Sequence, residues 1–140
     1  MEKSMEIKQI DGLSLVAKGK SGHWTVMDTR SEVGGHEGAT APMELILMGL
    51  GGCTSMDVIS ILKKMKAPLK DYSMEIFSER AEEHPKVFTK IHIKYIFYGT
   101  GIKEEQVKKA IKLSEDRYCS ASAMLKKAVD ITNEYEIREE

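Results

Sequence analysis

Apolar and polar side chains alternate through the first stretch of the chain. Leu13, Leu15 and Ala17 interleave with Ser14, Val16 and Lys18, and Trp24, Val26 and Asp28 follow a Gly19-Lys20-Ser21-Gly22 turn. With Asp11-Gly12 as a further turn, this period of two predicts a small antiparallel meander. From Thr29 to Ala41 the sequence is polar and carries Gly34-Gly35-His36-Glu37-Gly38 without apolar periodicity, so a long loop is expected there. Pro42 then marks a helix start, because its missing N–H costs nothing in the first turn, and Glu44 falls near the positive end of the helix dipole. The helix is expected to run from about Pro42 to Lys66, broken or tightly packed at Gly49, Gly51 and Gly52. Each of those glycines costs about 1 kcal/mol against alanine, a penalty that makes sense where the backbone must bend or approach a neighbour closely.

After Pro68, two strands are predicted: one alternating through Tyr72, Met74 and Ile76, the other long and β-branched from Val87 to Tyr98, with Arg80 to Pro85 joining them as a hairpin. Val107, Ala110, Ile111, Ser114 and Tyr118 lie on one helical stripe, so a second helix is expected to about Arg117. Ser120 is suited to cap a short helix through Lys127, which sets Cys119 at or just before a helix N-terminus. Ile131, Asn133, Tyr135 and Ile137 alternate with polar residues and close the chain with a strand. No internal repeat and no Pro- or Ser-rich linker interrupts it. A single domain over residues 1–140 is the expectation.

Composition narrows the function classes. With 41% hydrophobic and 31% charged residues and a formal charge of -1, the chain has the make-up of a globular protein. It lacks the clustered positive charge that binds nucleic acid or an anionic membrane surface. Met1 to Ile10 has no apolar run of the signal-peptide kind, and Leu45 to Leu62, interrupted by Asp57, Ser55 and Ser60, reads as a core helix rather than a membrane span. A cytoplasmic protein acting on small molecules or other proteins is expected. In that reducing setting Cys53 and Cys119 are not structural staples; they are inert core residues or chemistry. Both lie in predicted helical surroundings that would favour a thiolate. Neither has a second Cys or a His at ligand spacing, so no metal is expected. His36, beside Glu37 in the glycine loop, is a candidate site residue, whereas His92, between Ile91 and Ile93, reads as a solvent-facing strand residue. No glycine-rich phosphate motif is present, so no nucleotide cofactor is expected.

The run Pro42-Met43-Glu44-Leu45-Ile46-Leu47-Met48-Gly49-Leu50-Gly51-Gly52-Cys53-Thr54, with a second cysteine in Arg117-Tyr118-Cys119-Ser120, resembles the OsmC/Ohr family. Glu32-Val33-Gly34-Gly35 and the stretch from His84 to Tyr98 look most like its YhfA-like subgroup. The resemblance implies an α+β fold, with curled antiparallel sheets packed on a central Cys-bearing helix in an intertwined homodimer whose sites lie at the interface. It also implies a cofactor-free thiol peroxidase acting on organic hydroperoxides, with Cys53 peroxidatic, Cys119 resolving and an external dithiol as reductant. The family's active Arg falls on Lys20, and the carboxylate that follows its Pro falls on Met43, with Glu44 one residue further on. Arg's planar fork can hold a carboxylate and a peroxide together, which Lys as a point charge does not reproduce. Glu44, Arg117 and His36 complete the supporting set. Met43, Leu47, Met48, Met56, Trp24 and Tyr118 are expected to wall an apolar pocket. The rival expectations are a non-catalytic protein binding a small apolar ligand, and thiol chemistry on another sulfur substrate.

A dimer is also expected on physical grounds. The near-continuous apolar helix from Leu45 to Leu62 carries more apolar surface than one small sheet covers.

Overall fold

The computed structural model describes residues 1–140, which form two compact units, Met1–Met48 and Gly49–Glu140. In the first, strands β1 (Met5–Asp11), β2 (Ser14–Gly19) and β3 (Trp24–Met27) form the predicted antiparallel meander in the order β1-β2-β3. Leu15 pairs with Met27 and Ala17 with Thr25, and Ile7 faces Ala17 from the other side. The loop that follows is irregular apart from a 3-10 turn at Ser31–Val33. One buried side chain organises it: the Asp28 carboxylate accepts hydrogen bonds from the backbone N–H groups of Thr29, His36 and Gly38 and from the Ser14 hydroxyl.

Helix α1 (Pro42–Lys64) contributes its first turns to this unit and its remainder to the second. It runs without a break through Gly49, Gly51 and Gly52. Only Gly51 is closely packed: a Cβ there would lie 2.8 Å from Ile76 Cδ1 and 3.2 Å from Met74 Sδ, while Gly49 and Gly52 have nothing within 4 Å. Leu50, Thr54, Val58 and Leu62, spaced by four, are all fully buried and form the stripe by which the helix joins the core. The helix is long and apolar enough to cross a membrane by length and composition, but that stripe is spent on the protein's own interior.

In the second unit, β4 (Asp71–Arg80), β5 (Phe88–Tyr98) and β6 (Asp130–Arg138) form a sheet in that order. Ile91, Ile93, Tyr95 and Phe97 of β5 alternate into the core. The β4–β5 pair is the predicted antiparallel hairpin, whereas β6 pairs with β5 in parallel, so this sheet is mixed. The parallel pairing follows from the connection, since Gly99 to Val129 is a helical crossover long enough to return the chain in the same direction. That crossover holds α2 (Glu104–Leu113), a π-helical turn (Ser114–Tyr118) and α3 (Ser120–Leu125). The regular helix therefore ends four residues short of Arg117, and the widened turn carries Tyr118 off the stripe of Val107, Ala110, Ile111 and Ser114 into solvent. The last helix likewise stops at Leu125 rather than Lys127.

Candidate active site

The π-helical turn closes with a 2.7 Å hydrogen bond from the Cys119 N–H to the Ser114 carbonyl. Its geometry sets the next residue. Cys119 becomes the N-cap of α3, only 2% exposed, and its sulfur accepts from the Ser122 N–H at 3.3 Å. Thr54 Oγ1 of α1 lies 3.3 Å from the same sulfur.

One residue before Thr54, half-buried Cys53 meets this arrangement from α1, and Asp57 joins it from one turn further along. The two sulfurs and a carboxylate oxygen of Asp57 all lie within 4.8 Å of one another. Asp57 is held in turn by the Ser114 hydroxyl, which donates to it at 3.1 Å. Two thiols far apart in sequence are thus brought together by the seating of the π turn on α1, and both are free.

The electrostatics differ from the helix-terminus expectation. Cys53 lies well inside α1, beyond the first turn to which the effect of the N-terminal dipole is confined. Cys119 does occupy a helix N-terminus, yet its thiol titrates above the ordinary range. Burial pushes it up, the hydrogen bonds that the Thr54 hydroxyl and the Ser122 N–H offer to its ionised form pull it down without cancelling that, and the neighbouring Cys53 thiol raises it further. Cys119 therefore rests as a neutral thiol at neutral pH.

Asp57 and Tyr118 line an open cavity of about 440 Å³ together with Ser60, Ile61, Lys64, Met65, Lys109 and Leu113. Solvent and small molecules thus reach Asp57. Tyr95 donates to Glu115 at 2.9 Å, and Glu115 also accepts from Asn133 at 2.8 Å, which fixes the π turn to the sheet. Burial raises the Glu115 carboxyl despite those two bonds.

The remaining sequence candidates are distributed between the units. Arg117 lies in the π turn with its guanidinium over the Tyr118 ring, and Met56 projects from α1, 75% exposed. In the N-terminal unit Lys20 is ion-paired to Glu2 at 2.7 Å on the surface, and Trp24 lies under the Lys18 ammonium. Glu44 turns back to accept from the Ala41 N–H, so it serves the start of α1. Met43 and Leu47 are half-buried on the first turns of α1 and Met48 is exposed. His36 touches Ser14 Oγ at 3.0 Å and sits 3.6 Å from the Asp11 carboxylate. His92 is more engaged than a free surface residue, contacting Thr132 Oγ1 at 2.7 Å and Glu134 at 2.6 Å.

Sequence reasoning missed Asp57, Thr54 and Ser114. The spacing of Cys53 and Asp57 by four on a helix puts both on one face, a legible signal. Nothing in the sequence announced Ser114 as their partner.

Comparison with known proteins bears on this site. The profile of the OsmC-like protein family matches residues 34–134. The chain is 40% identical over 131 residues to protein YhfA of Escherichia coli strain K12, covering 94% of this chain and 95% of that one. Its fold is similar to that of a hypothetical protein from Aquifex aeolicus, with a TM-score of 0.86 and 31% identity over 100% of this chain and 99% of the other. It is also similar to an organic hydroperoxide resistance protein of Legionella pneumophila, with a TM-score of 0.70 and 19% identity over 96% and 97% of the two chains.

Proposed function

The chain belongs to the OsmC-like protein family, and from that premise we propose that it is a thiol peroxidase that reduces organic hydroperoxides. The Cys53 thiolate attacks the distal peroxide oxygen and becomes a sulfenic acid, and the alkoxide released takes a proton from water to leave as the alcohol. The Cys119 sulfur then displaces the sulfenic oxygen, which leaves as water, and a Cys53–Cys119 disulfide remains. The proton lost by Cys119 passes to that leaving oxygen, with Asp57 the carboxylate beside both sulfurs. An external dithiol returns the pair to the reduced state by exchange.

The single observation that carries this reading is the asymmetric thiol pair: two sulfurs from separate elements within 4.8 Å, one half-buried and the other sealed as a neutral thiol. By the family resemblance Lys20 falls where peroxidase members carry Arg and Met43 where they carry a carboxylate, so turnover slower than that of a full peroxidase is expected. A cytoplasmic homodimer is part of the proposal.

The test is stoichiometric oxidation by cumene hydroperoxide. Wild type forms an intramolecular Cys53–Cys119 disulfide. Cys119→Ser stops at a trappable sulfenic acid or over-oxidises, and Cys53→Ser consumes no peroxide. A folded wild type that keeps both thiols free in excess peroxide overturns the reading in favour of non-catalytic binding of a small apolar ligand.

A further inference from the structure

The donor set around Cys53 does more than hold two sulfurs near each other. Cys53 and Asp57 project from one face of α1, a turn apart, and Cys119 arrives from the cap of α3, so that two thiols and a carboxylate converge within 4.8 Å. We propose that the reduced protein binds one soft divalent cation of the zinc type through Cys53 Sγ, Cys119 Sγ and Asp57, leaving a fourth position open. This goes beyond the peroxidase reading and does not depend on it.

Three observations support the site. First, the donor types match: thiolates and a carboxylate are the ligands zinc takes, and three protein ligands with an open position is the arrangement of an accessible rather than a closed structural site. Second, the spacing fits. Bonds of about 2.3 Å to sulfur and about 2.1 Å to oxygen in a tetrahedron put neighbouring donors about 3.5 to 3.8 Å apart, so three atoms within 4.8 Å of one another need to close by at most about 1.3 Å. Third, the ligands are already oriented from behind. The Ser114 hydroxyl fixes Asp57 at 3.1 Å, and the Ser122 N–H and Thr54 Oγ1 both stand 3.3 Å from the Cys119 sulfur. Outer contacts of this kind orient ligands in metal sites. Asp57 also lines the open cavity that Tyr118 borders, so this ligand is reached from solvent.

Binding replaces the two thiol protons, which are released as the cation is taken up. Because the cation occupies both sulfurs, metal binding and the disulfide are mutually exclusive states of one pair. The metal-loaded protein is thereby protected from oxidation.

The test uses the reduced full-length chain, anaerobically and without peroxide, titrated with Co²⁺ and then Zn²⁺. One equivalent of Co²⁺ should give a sulfur-to-cobalt charge-transfer band that Zn²⁺ bleaches. Cys53→Ser and Cys119→Ser should each lose most of that band. Asp57→Asn should weaken binding by at least about 10-fold, and Ser114→Ala, which removes only an outer contact, by about 10-fold or more. In wild type one equivalent of Zn²⁺ should slow alkylation of both thiols, a readout that needs no variant to fold. No charge-transfer band on the folded, reduced wild type, or a band and affinity unchanged in Asp57→Asn and Cys119→Ser, overturns the proposal. Peroxide turnover measured separately in chelator fails or succeeds independently of these results, so the two readings are distinguishable.

Discussion

Thr54 Oγ1 stands 3.3 Å from Cys119 Sγ while donating its own hydrogen to the Leu50 carbonyl at 2.9 Å. With that hydrogen committed, the sulfur is the donor between the two, and the Cys119 S–H points at a lone pair of Thr54. The resting state of Cys119 is therefore a thiol with a partner on each side: Thr54 accepts from it and the Ser122 N–H donates to it. When this sulfur ionises, the Thr54 hydroxyl can turn its hydrogen from the Leu50 carbonyl to the sulfur.

Replacing Thr54 by Val keeps the shape and removes the acceptor. Leaving a buried weak donor unpaired is expected to cost about 1 kcal/mol, read as a lowered midpoint in urea. Disulfide formation after peroxide should also change rate. Thr54→Ser restores both, and a Val variant as stable and as fast as wild type would remove the Thr54–Cys119 bond from the account.

Gly51 and Gly49 separate packing from helix propensity. A methyl group at Gly51 meets the outer ends of the Ile76 and Met74 side chains, which must give way, so Gly51→Ala is expected to be less stable than Gly49→Ala. Gly49 has open space around it, and Gly49→Ala should lose none of that packing while gaining up to about 1 kcal/mol of helix propensity. Denaturant unfolding of the two variants side by side gives the comparison, and similar shifts in both would contradict the close approach at Gly51.

The Asp28 carboxyl makes the N-terminal unit sensitive to acid. Burial alone would raise its pKa, but the N–H groups of Thr29, His36 and Gly38 and the Ser14 hydroxyl together hold it down at about 2. Between about pH 4 and pH 2 the unfolded chain binds a proton at this residue that the folded chain refuses. The stability Asp28 contributes is present above that window and lost as pH falls through it. Asp28→Asn should flatten the acid limb of the stability curve and speed amide hydrogen exchange at Thr29, His36 and Gly38. An unchanged acid limb would show that other carboxylates set it.

Exposure orders the reactivity of the thiols. Half-buried Cys53 should be alkylated before Cys119, which is 2% exposed and rests as a neutral thiol. Mass spectrometry after limited alkylation reads the order directly. Preferential labelling of Cys119 would reverse the assignment of peroxidatic and resolving roles.

The proposed homodimer can be tested through apolar side chains of the C-terminal unit that the single chain leaves exposed: Met56 is 75% exposed, Met124 68% and Tyr118 53%. Light scattering at micromolar concentration is expected to return a species of two chains, and Met56→Lys to shift it toward one. A stable, folded 15.7 kDa species in the wild type would refute the dimer.

The sequence by itself determined the elements and their kinds. Alternation in Leu13 to Ala17 and in Tyr72 to Ile76, the stripe through Val107, Ala110, Ile111 and Ser114, and Pro42 at a helix start are local signals, and local signals survive because side-chain periodicity is a property of the element alone. The run ending at Cys53-Thr54 likewise carried the family. Tertiary structure decided what those elements do to one another. The parallel pairing of β6 depends on a crossover whose direction no single strand encodes. The π turn at Ser114–Tyr118 arises where helix α2 must yield to seat Cys119 against Thr54, and it takes Tyr118 off the stripe that its spacing assigned it. The same seating sealed Cys119 and raised its pKa, where sequence position alone argued for a dipole-stabilised thiolate. It also joined Asp57 and Ser114 to the two sulfurs. Burial and the meeting of side chains distant along the chain are properties of the packed interior, so the asymmetry of the thiol pair could be read only there.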